Sequence, residues 1–421
     1  MTSLANSNQW WARAQQVIPL GTQTLSKSPT QFPRGVAPIF LSRGEGARVW
    51  DVDGNEYLDY VMGLGPILLG YCDERINRAI TSQLSEAILL SLPHPLEVQV
   101  AEKIVDICPG VEAVRFAKSG SDAVSAAVRA ARALTGRDSV AVAGYHGWHD
   151  WYIGSTSRSL GVPESVRNLT IGIPFNSEDS VREVLLHEDL AAIVVEPSGA
   201  SLPSRGFLQK VSELTKEHGS LLIFDEVITG FRVAPGGARE RYGVIPDLSC
   251  YGKALGNGMP ISAVAGSWSA MKIFEDIFFS GTHGGELLSL AAARAVLEAV
   301  ADGEIAREVE KVGEYLRRGL ETALARDGIP SEVCSVSGEP HRLVMSFGYD
   351  RPLVLKTWIQ QVFVEHGILF NGGFFLSAAH RLEDIDRTIE VFESALTPLA
   401  HGRDIQALLR GPVVEEVFRQ P

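Results

Sequence analysis

One stretch decides the fold class: Ser220-Leu221-Leu222-Ile223-Phe224-Asp225-Glu226. Four consecutive apolar residues followed by two acids are typical of a short strand that is buried on both faces. In a parallel sheet, the side chain at the carboxyl end of such a strand projects into the ligand crevice. We therefore expect Asp225 to face a ligand. A helix cap and a metal ligand in another fold are alternatives that this stretch leaves open.

Helical and strand patterns alternate on both sides of this stretch, from about residue 95 to 300. The periodicity predicts helices over 98–107 and 122–134 and further short buried strands over 139–143, 191–196 and 263–266. Such alternation predicts an α/β layer with a largely parallel sheet. Helical patterns at 304–326, 353–366 and 382–400 flank weaker strands and indicate a smaller α+β domain.

A hairpin is predicted near the N-terminus, over residues 47–60. Strand-like residues lead into Val52-Asp53-Gly54-Asn55 and out again through Glu56-Tyr57. Asp51 and Asp53 suggest a calcium loop as an alternative. The hairpin is favoured because Gly54 falls at the wrong place for an EF-hand and the later ligands are missing.

The bulk composition excludes several classes of protein. The 421 residues are 45% hydrophobic and 21% charged, the balance of an ordinary globular protein. A net charge of −13 without a basic run argues against general nucleic-acid binding. Four scattered cysteines, no signal-like N-terminus and only strand-sized apolar runs favour a cytoplasmic protein with no membrane partner.

Two loops that precede predicted helices have the composition of anion sites. They are Lys118-Ser119-Gly120-Ser121-Asp122 and Ser280-Gly281-Thr282-His283-Gly284-Gly285. Small residues at a helix start expose backbone N–H groups, and the helix dipole favours an anion there. A phosphate bound by Gly120 and Ser121 is one interpretation. A plain N-cap is the alternative, since serine and aspartate are good caps.

A lysine lies in an unusual setting within Ser249-Cys250-Tyr251-Gly252-Lys253-Ala254-Leu255-Gly256. Its small and apolar neighbours are not those of a solvated surface lysine. Desolvation and a neighbouring cation would lower the pKa of the Lys253 amine and make it nucleophilic toward an aldehyde. The stretch is not a phosphate-binding Walker loop, because the glycine spacing is absent and Ala254 follows the lysine. A structural lysine is the alternative.

An aromatic segment, Tyr145-His146-Gly147-Trp148-His149, offers a ring that could stack on a flat ligand. The two histidines could bind a metal, but no third ligand stands at a suitable spacing. We expect no metal site.

At these segments the chain resembles the class III, fold-type I pyridoxal-phosphate aminotransferases, most closely the glutamate-1-semialdehyde 2,1-aminomutases among them. The resemblance runs from about Val17 to Thr397. It is carried by Trp50-Asp51-Val52-Asp53-Gly54, Ser119-Gly120-Ser121-Asp122-Ala123, Tyr145-His146-Gly147, Glu196-Pro197, Phe224-Asp225-Glu226-Val227-Ile228-Thr229-Gly230-Phe231-Arg232 and Gly252-Lys253. It implies a large cofactor domain over 66–305 with a mostly parallel sheet, and a smaller α+β domain built from 1–65 and 306–421.

The resemblance also implies pyridoxal 5'-phosphate as the cofactor, held by Lys253 as a Schiff base. Lys253 then carries protons between the substrate carbon and the cofactor. Asp225 pairs with the pyridine nitrogen and lets the ring act as an electron sink. Tyr145 stacks on one face of the ring, and Val227 packs against the other. Lys253, Asp225 and Tyr145 are the predicted catalytic residues.

The rest of the predicted cofactor-binding set comprises Ser119, Gly120, Ser121, His146, Glu196 and Thr282. In the resemblance, Gly120 and Ser121 hold the phosphate, and Glu196 lies near Asp225. Thr282 matches a residue that reaches the phosphate of the neighbouring subunit. We therefore expect a homodimer with shared active sites.

Several departures from the aminomutases concern the substrate. Lys27 stands in place of an arginine for the substrate carboxylate, and Gly63-Leu64 stands in place of Ser-Trp. The stretch 148–176 is shorter than their gating loop, and Asn371-Gly372-Gly373-Phe374 lacks a glutamate that they carry. An aminomutase must retain a diamino intermediate, which a shortened lid makes harder.

The departures favour an intermolecular aminotransferase that moves nitrogen from an amino-acid donor to a small ketone or aldehyde, with a sugar-like acceptor as one expectation. The alternatives are an intramolecular aminomutase and a non-catalytic cofactor-binding protein. Retention of Lys253 and Asp225 argues against the last of these.

Overall fold

The computed structural model describes residues 3–187 and 189–415. The ends of the two predicted small-domain segments, residues 1–2 and 416–421, lie outside the described residues. The described chain divides into two compact units, one of 3–73 with 308–415 and the other of 74–187 with 189–307.

Strands and helices are numbered in chain order. The strands are β1 (Leu41–Glu45), β2 (Arg48–Asp51), β3 (Glu56–Asp59), β4 (Ala113–Ala117), β5 (Ser139–Ala143), β6 (Thr170–Gly172), β7 (Leu190–Val195), β8 (Leu221–Glu226), β9 (Leu248–Tyr251), β10 (Ser262–Gly266), β11 (Cys334–Glu339), β12 (Arg342–Phe347), β13 (Ile368–Leu369) and β14 (Gly373–Phe375). The helices are α1 (Ala5–Val17), α2 (Glu74–Leu84), α3 (Pro95–Ile107), α4 (Gly120–Thr135), α5 (Asp150–Ile153), α6 (Glu164–Arg167), α7 (Glu178–His187), α8 (Phe207–His218), α9 (Ala238–Tyr242), α10 (Trp268–Met271), α11 (Leu287–Val300), α12 (Glu304–Arg326), α13 (Pro352–Glu365) and α14 (Leu382–Ala400). None of the described helices is both long and apolar enough to cross a membrane.

The larger unit contains a seven-stranded sheet in the order β4-β10-β9-β8-β7-β5-β6. Strand β10 runs antiparallel to both β4 and β9, while β9, β8, β7, β5 and β6 pair in parallel. The carboxyl ends of β4, β5, β7, β8 and β9 therefore meet at one edge of the sheet. The predicted, largely parallel α/β layer is confirmed.

Both faces of this sheet are covered, which explains why its strands are continuously apolar. Side chains alternate along β5: Val140 and Val142 pack in the cluster that contains α4, while Ala141 and Ala143 pack in the cluster that contains α7 and α8. Alanines dominate the buried face of α4, so that this helix lies close to the strands. The start of α4 is thereby fixed at the sheet edge.

The predicted helices and strands of this layer are present, with ends that differ by at most three residues. The helix predicted from residue 122 begins at Gly120, because Ser119 acts as its N-cap. Strands β4, β6 and β9 had no predicted counterpart, since they are short and Arg115 interrupts the apolar run of β4.

The smaller unit contains two sheets, in the orders β1-β2-β3-β13 and β11-β12-β14. The hairpin predicted over 47–60 is the antiparallel pair β2 and β3. Both oxygens of Asp51 accept hydrogen bonds at its turn, from the Asn55 N–H at 2.8 Å and the Asn55 side-chain amide at 2.7 Å. The turn, not a bound calcium ion, therefore accounts for the acid at this position.

Candidate active site

One cavity of about 260 Å³ lies at the edge where the parallel strands end. The loops that follow β4, β5, β7, β8 and β9 each contribute to its wall, as does the turn before β10. The lining residues are Lys118, Gly120, Ser121, Tyr145, His146, Gly147, Glu196, Asp225, Val227, Lys253, Met259, Pro260 and Ile261. This is where ligands bind in open α/β sheets.

The structure brings most of the predicted site residues together in this cavity and leaves two outside it. Inside are Lys253, Asp225, Tyr145, His146, Gly120, Ser121, Glu196 and Val227. Ser119 and Thr282 are not among the residues of its wall.

Asp225 is nearly buried, with 5% of its surface exposed, and its carboxylate has two partners. The Val227 N–H donates to Oδ1 at 3.1 Å, and the Nδ1 atom of His146 lies 2.8 Å from Oδ2. If Asp225 is ionised, the proton of this second bond sits on Nδ1 of the imidazole. No hydrogen-bond partner of His146 Nε2 is found among the described residues, although this atom is buried.

The neighbouring acid, Glu226, points away from the cavity, because successive strand side chains alternate. It is fully buried and accepts hydrogen bonds from Thr229 and the Ala238 N–H, with the Arg239 guanidinium at 4.0 Å. Burial raises the pKa of Glu226 to about 7, although Arg239 and the backbone N–H groups lower it. Of the two acids that end β8, Asp225 alone faces the cavity.

Lys253 follows β9 and lines the same cavity as Asp225. Its φ of 41° lies in the left-handed region, which residues other than glycine rarely adopt. Such strain persists at functional sites, where the surrounding structure enforces it. The Lys253 side chain therefore leaves the backbone in a direction that the fold fixes.

The start of α4 has the features of both predicted roles of the stretch 118–122, a helix N-cap and an anion site. The Ser119 hydroxyl accepts the Asp122 N–H, and the Asp122 carboxylate accepts the Ser119 N–H at 2.8 Å, so Ser119 is a helix cap. Gly120 and Ser121 line the cavity, and first-turn N–H groups have no acceptor within their own helix. The geometry is suited to an anion in the cavity.

The segment 145–149 is held against the site along its whole length. The Tyr145 N–H donates to Glu196 Oε2 at 3.1 Å, and the Trp148 N–H donates to Ser121 Oγ at 3.3 Å. Gly147, with a φ of 97°, lies so close to Ser121 that an added Cβ would come within 2.2 Å of its hydroxyl. Only glycine permits this approach.

Thr282 lies in a separate groove of about 990 Å³, which α3, β4, α4 and the segment 279–285 line. It is exposed there. Lys118 lines both this groove and the smaller cavity. Sequence reasoning had assigned no role to Lys118, Gly147 or the turn Met259, Pro260 and Ile261, because their place in the site depends on the sheet order. Within residues 3–187 and 189–415, no three side chains group as metal ligands.

Solved structures with the same fold identify the class of protein. The FumI protein of Sphingopyxis sp. MTA144, in its pyridoxal-phosphate internal-aldimine form, superposes with a TM-score of 0.88 at 30% identity, covering 96% of this chain and 99% of that one. An omega-transaminase from Sphaerobacter thermophilus superposes with a TM-score of 0.86 at 27% identity, covering 94% and 98%. The fold and the cavity define a fold-type I enzyme that depends on pyridoxal phosphate.

The family follows from the sequence. Residues 31–372 match the family model "Aminotransferase class-III". Glutamate-1-semialdehyde 2,1-aminomutase of Thermomicrobium roseum is 35% identical, over 95% of this chain and 100% of its own length. The aminomutase of Aquifex aeolicus is 34% identical, over 92% and 99%. The chain belongs to the class III aminotransferases.

The cavity fits the cofactor of this family. A Cβ at position 120 would lie 2.8 Å from Val227, so glycine there leaves the helix start open beside that side chain. An amine, the start of a helix and a buried carboxylate all line one space. His146 also lines this cavity, and its buried Nε2 has no hydrogen-bond partner among the described residues.

Proposed function

We propose that the chain is an aminotransferase that moves an amino group from an amino-acid donor to a small ketone or aldehyde. The observation that carries this proposal is the presence of the Lys253 amine and the Asp225 carboxylate in one cavity at the carboxyl edge of the sheet. Bound pyridoxal phosphate supplies an electron sink for carbanion chemistry at the substrate carbon.

With the cofactor bound, Lys253 would hold its aldehyde, and the Lys253 amine would move the proton at the substrate carbon. A positioned acid–base group of this kind contributes about 10²- to 10⁴-fold to a rate. The fixed, left-handed backbone at Lys253 supports this role, because it restricts where the amine can reach.

Asp225 would hold the pyridine nitrogen of the cofactor by a charge-assisted hydrogen bond. Its burial and its bond to His146 support this role, since both keep the carboxylate in one orientation. Tyr145 and Val227 would hold the ring between them, and Glu196 fixes the backbone of Tyr145 by accepting its N–H. Gly120 and Ser121 bind the phosphate at the start of α4.

A second candidate is intramolecular amino transfer. It is favoured by the relatives named glutamate-1-semialdehyde 2,1-aminomutase, which match nearly the whole chain at 34–35% identity. The departures at Lys27, Gly63-Leu64 and Asn371, together with the short stretch 148–176, favour the intermolecular reaction. No observation on the fold or the cavity supports the sugar-like acceptor over other small carbonyl compounds.

The two candidates differ in their need for a donor. Purified protein is incubated with glutamate-1-semialdehyde alone, and in parallel with a panel of amino acids followed by ketones and aldehydes. We expect an amino acid to convert bound cofactor to its amine form, and a carbonyl compound to reverse the change. Turnover of glutamate-1-semialdehyde without any donor would establish the aminomutase instead.

We further propose a homodimer, because an apolar surface lies beside the groove that contains Thr282. Leu89, Leu90 and Leu92 are 40%, 52% and 79% exposed, and Phe278 is 78% exposed. The Leu287 N–H donates to the Ile88 carbonyl at 2.9 Å, so the apolar run adjoins the start of α11. Exposed apolar patches of this kind mark association surfaces. A second copy covering this surface would bring its Thr282 toward a neighbouring site.

We also propose that the protein resides in the cytoplasm. The thiols of Cys108, Cys250 and Cys334 are buried and form no disulfide, which agrees with a reducing cytoplasm. Fractionation of the cells that make the protein tests this assignment.

A further inference from the structure

Lys118 has a position that none of the roles above uses. It is the last residue before the α4 cap, and it lines the same cavity as Gly120, Ser121 and Lys253. Among the described residues of that wall, the side chains with a permanent basic group are Lys118 and Lys253, and the acidic ones are Glu196 and Asp225. If Lys253 is occupied by the cofactor aldehyde, Lys118 is the cation left for an anion.

The Lys118 ammonium group is held in place, although it is not deeply buried. Its Nζ lies 2.9 Å from Oε2 of Glu286, and the two side chains are 25% and 11% exposed. Glu286 is fixed in turn, because it caps α11 by accepting the N–H groups of Leu288 and Ser289. Burial raises the pKa of Glu286, but hydrogen bonds from Ser289 and Lys118 outweigh this and lower it, so Glu286 is a carboxylate.

A phosphate at the start of α4 meets an unfavourable local charge. Asp122 in the first turn and Glu286 nearby are both acidic. Backbone N–H groups and the helix dipole favour an anion there, but the dipole is equivalent to only about half a positive charge. A full cation beside the N–H groups would stabilise a dianion at this place further, and Lys118 can supply one.

We propose that Lys118 is a phosphate-binding residue of this enzyme, positioned by Glu286, and that it selects the phosphorylated cofactor over free pyridoxal. The inference rests on the proposed role of Gly120 and Ser121. It predicts that the preference for pyridoxal phosphate over pyridoxal depends on the charge of Lys118. A lysine that only stabilised the fold through its salt bridge would not affect that preference.

The test compares Lys118→Met with the parent protein, both as full-length chains freed of cofactor. Affinities for pyridoxal phosphate and for pyridoxal are measured by absorbance titration. We expect the variant to lose roughly 10- to 100-fold in affinity for pyridoxal phosphate, the range for a hydrogen bond to a charged group. Its affinity for pyridoxal should be unchanged, and Lys118→Arg should restore most of the lost affinity.

Lys103→Met is the matched control, because Lys103 has a comparable ion pair, at 3.3 Å to Glu298, and does not line the cavity. It should bind both compounds as the parent does. An equal loss for pyridoxal and pyridoxal phosphate in Lys118→Met would overturn the proposal, as would no loss for either.

A second measurement keeps the test informative if Lys118→Met does not fold. The parent protein is acetylated under limiting conditions with pyridoxal phosphate, inorganic phosphate or pyridoxal present, and the modified lysines are located by mass spectrometry. Phosphate and pyridoxal phosphate should protect Lys118, and pyridoxal should not. Equal labelling of Lys118 in all three would refute its role.

The two proposals fail differently. A parent protein that binds pyridoxal as tightly as pyridoxal phosphate has no phosphate site, and the assignment of Gly120 and Ser121 is then lost. A parent that prefers pyridoxal phosphate, with a Lys118→Met variant that keeps the whole preference, refutes Lys118 alone.

Discussion

The imidazole of His146 lies 2.8 Å from the carboxylate of Asp225, and both side chains are almost fully withdrawn from solvent. His146 follows β5 and Asp225 is the next-to-last residue of β8, so two strands separated by β7 jointly fix this pair. A buried carboxylate costs free energy unless hydrogen bonds satisfy it. The His146 bond therefore satisfies one oxygen of Asp225 and fixes the orientation of the carboxylate for the proposed pairing with the pyridine nitrogen.

The first prediction concerns this pair. His146→Leu removes one hydrogen bond of Asp225 and leaves a buried oxygen without this partner, at a cost of about 1–3 kcal/mol. We expect a lower kcat, with KM changed less, because the electron-withdrawing ring matters most in the transition state. His146→Asn, which can still donate to Asp225, should retain more activity. Steady-state kinetics of both variants provide the measurement, and equal activity in the His146→Leu variant and the parent enzyme would count against the pairing.

A second prediction concerns the lysine. Lys253→Ala should abolish the visible absorbance of bound cofactor and lower transamination by at least about 10²- to 10⁴-fold, the range for a lost proton-transferring group. Lys272→Ala is the control, because Lys272 is an exposed lysine outside the cavity wall. Its spectrum should match that of the parent. A Lys253→Ala spectrum that kept the parent band would place the covalent attachment elsewhere.

The layer of alternating helices and strands could be predicted because its signals are local. The apolar run of β8 spans only a few consecutive residues, and so does the capping pair of Ser119 and Asp122 at the start of α4. Strand β4 could not be predicted in this way, because Arg115 interrupts its apolar run, and only its pairing with β10 places it in the sheet. The role proposed for Lys118 could not be predicted from local patterns, because its ionic partner, Glu286, is 168 positions away in the chain.

Physical patterns had already singled out Asp225, Lys253, Gly120, Ser121 and Tyr145, and the resemblance added Val227 and Glu196, which line the same cavity. Asp225 and Lys253 share one wall, as the resemblance implied. Taken alone, the strand pattern could not tell Asp225 from Glu226, since that choice depends on which face of β8 meets Arg239. Thr282 lies in a different groove, so its predicted role at the phosphate of a neighbouring subunit stays a prediction.

A third prediction uses a histidine far from the chemistry. His380 is buried, and its Nδ1 accepts the Ser377 N–H at 3.0 Å while Nε2 lies 3.2 Å from the Asp59 carbonyl. This arrangement satisfies the neutral ring, and burial lowers the pKa of His380 to about 4. The folded state therefore binds fewer protons than the unfolded state between pH 6.5 and 4. The contribution of neutral His380 to the free energy of unfolding is complete above pH 6.5 and is lost as the pH falls toward 4.

The expected loss is about 3 kcal/mol in the free energy of unfolding over that interval. His380→Gln should be less stable than the parent at pH 7.5 and should lose less on acidification to pH 5. His401→Gln, at an exposed histidine, should follow the parent at both values. Urea unfolding at the two pH values provides the measurement, and parallel losses in the parent and His380→Gln would contradict the prediction. Comparison with a variant is needed because burial also raises the pKa of Asp59, to about 6, which acts in the opposite direction.

The last prediction concerns the apolar surface beside Thr282. Phe278→Glu places a charge on a side chain that is 78% exposed, and burying that charge against a second copy would cost several kcal/mol. We expect light scattering to report a monomer and cofactor retention to fall, because each site then lacks the Thr282 hydroxyl of a neighbouring subunit. Leu186→Glu is a matched control, since Leu186 is 80% exposed on α7. It should leave the mass unchanged. A Phe278→Glu protein that kept the mass of the parent would show that this surface is not the contact, and Thr282 would then have no site to complete.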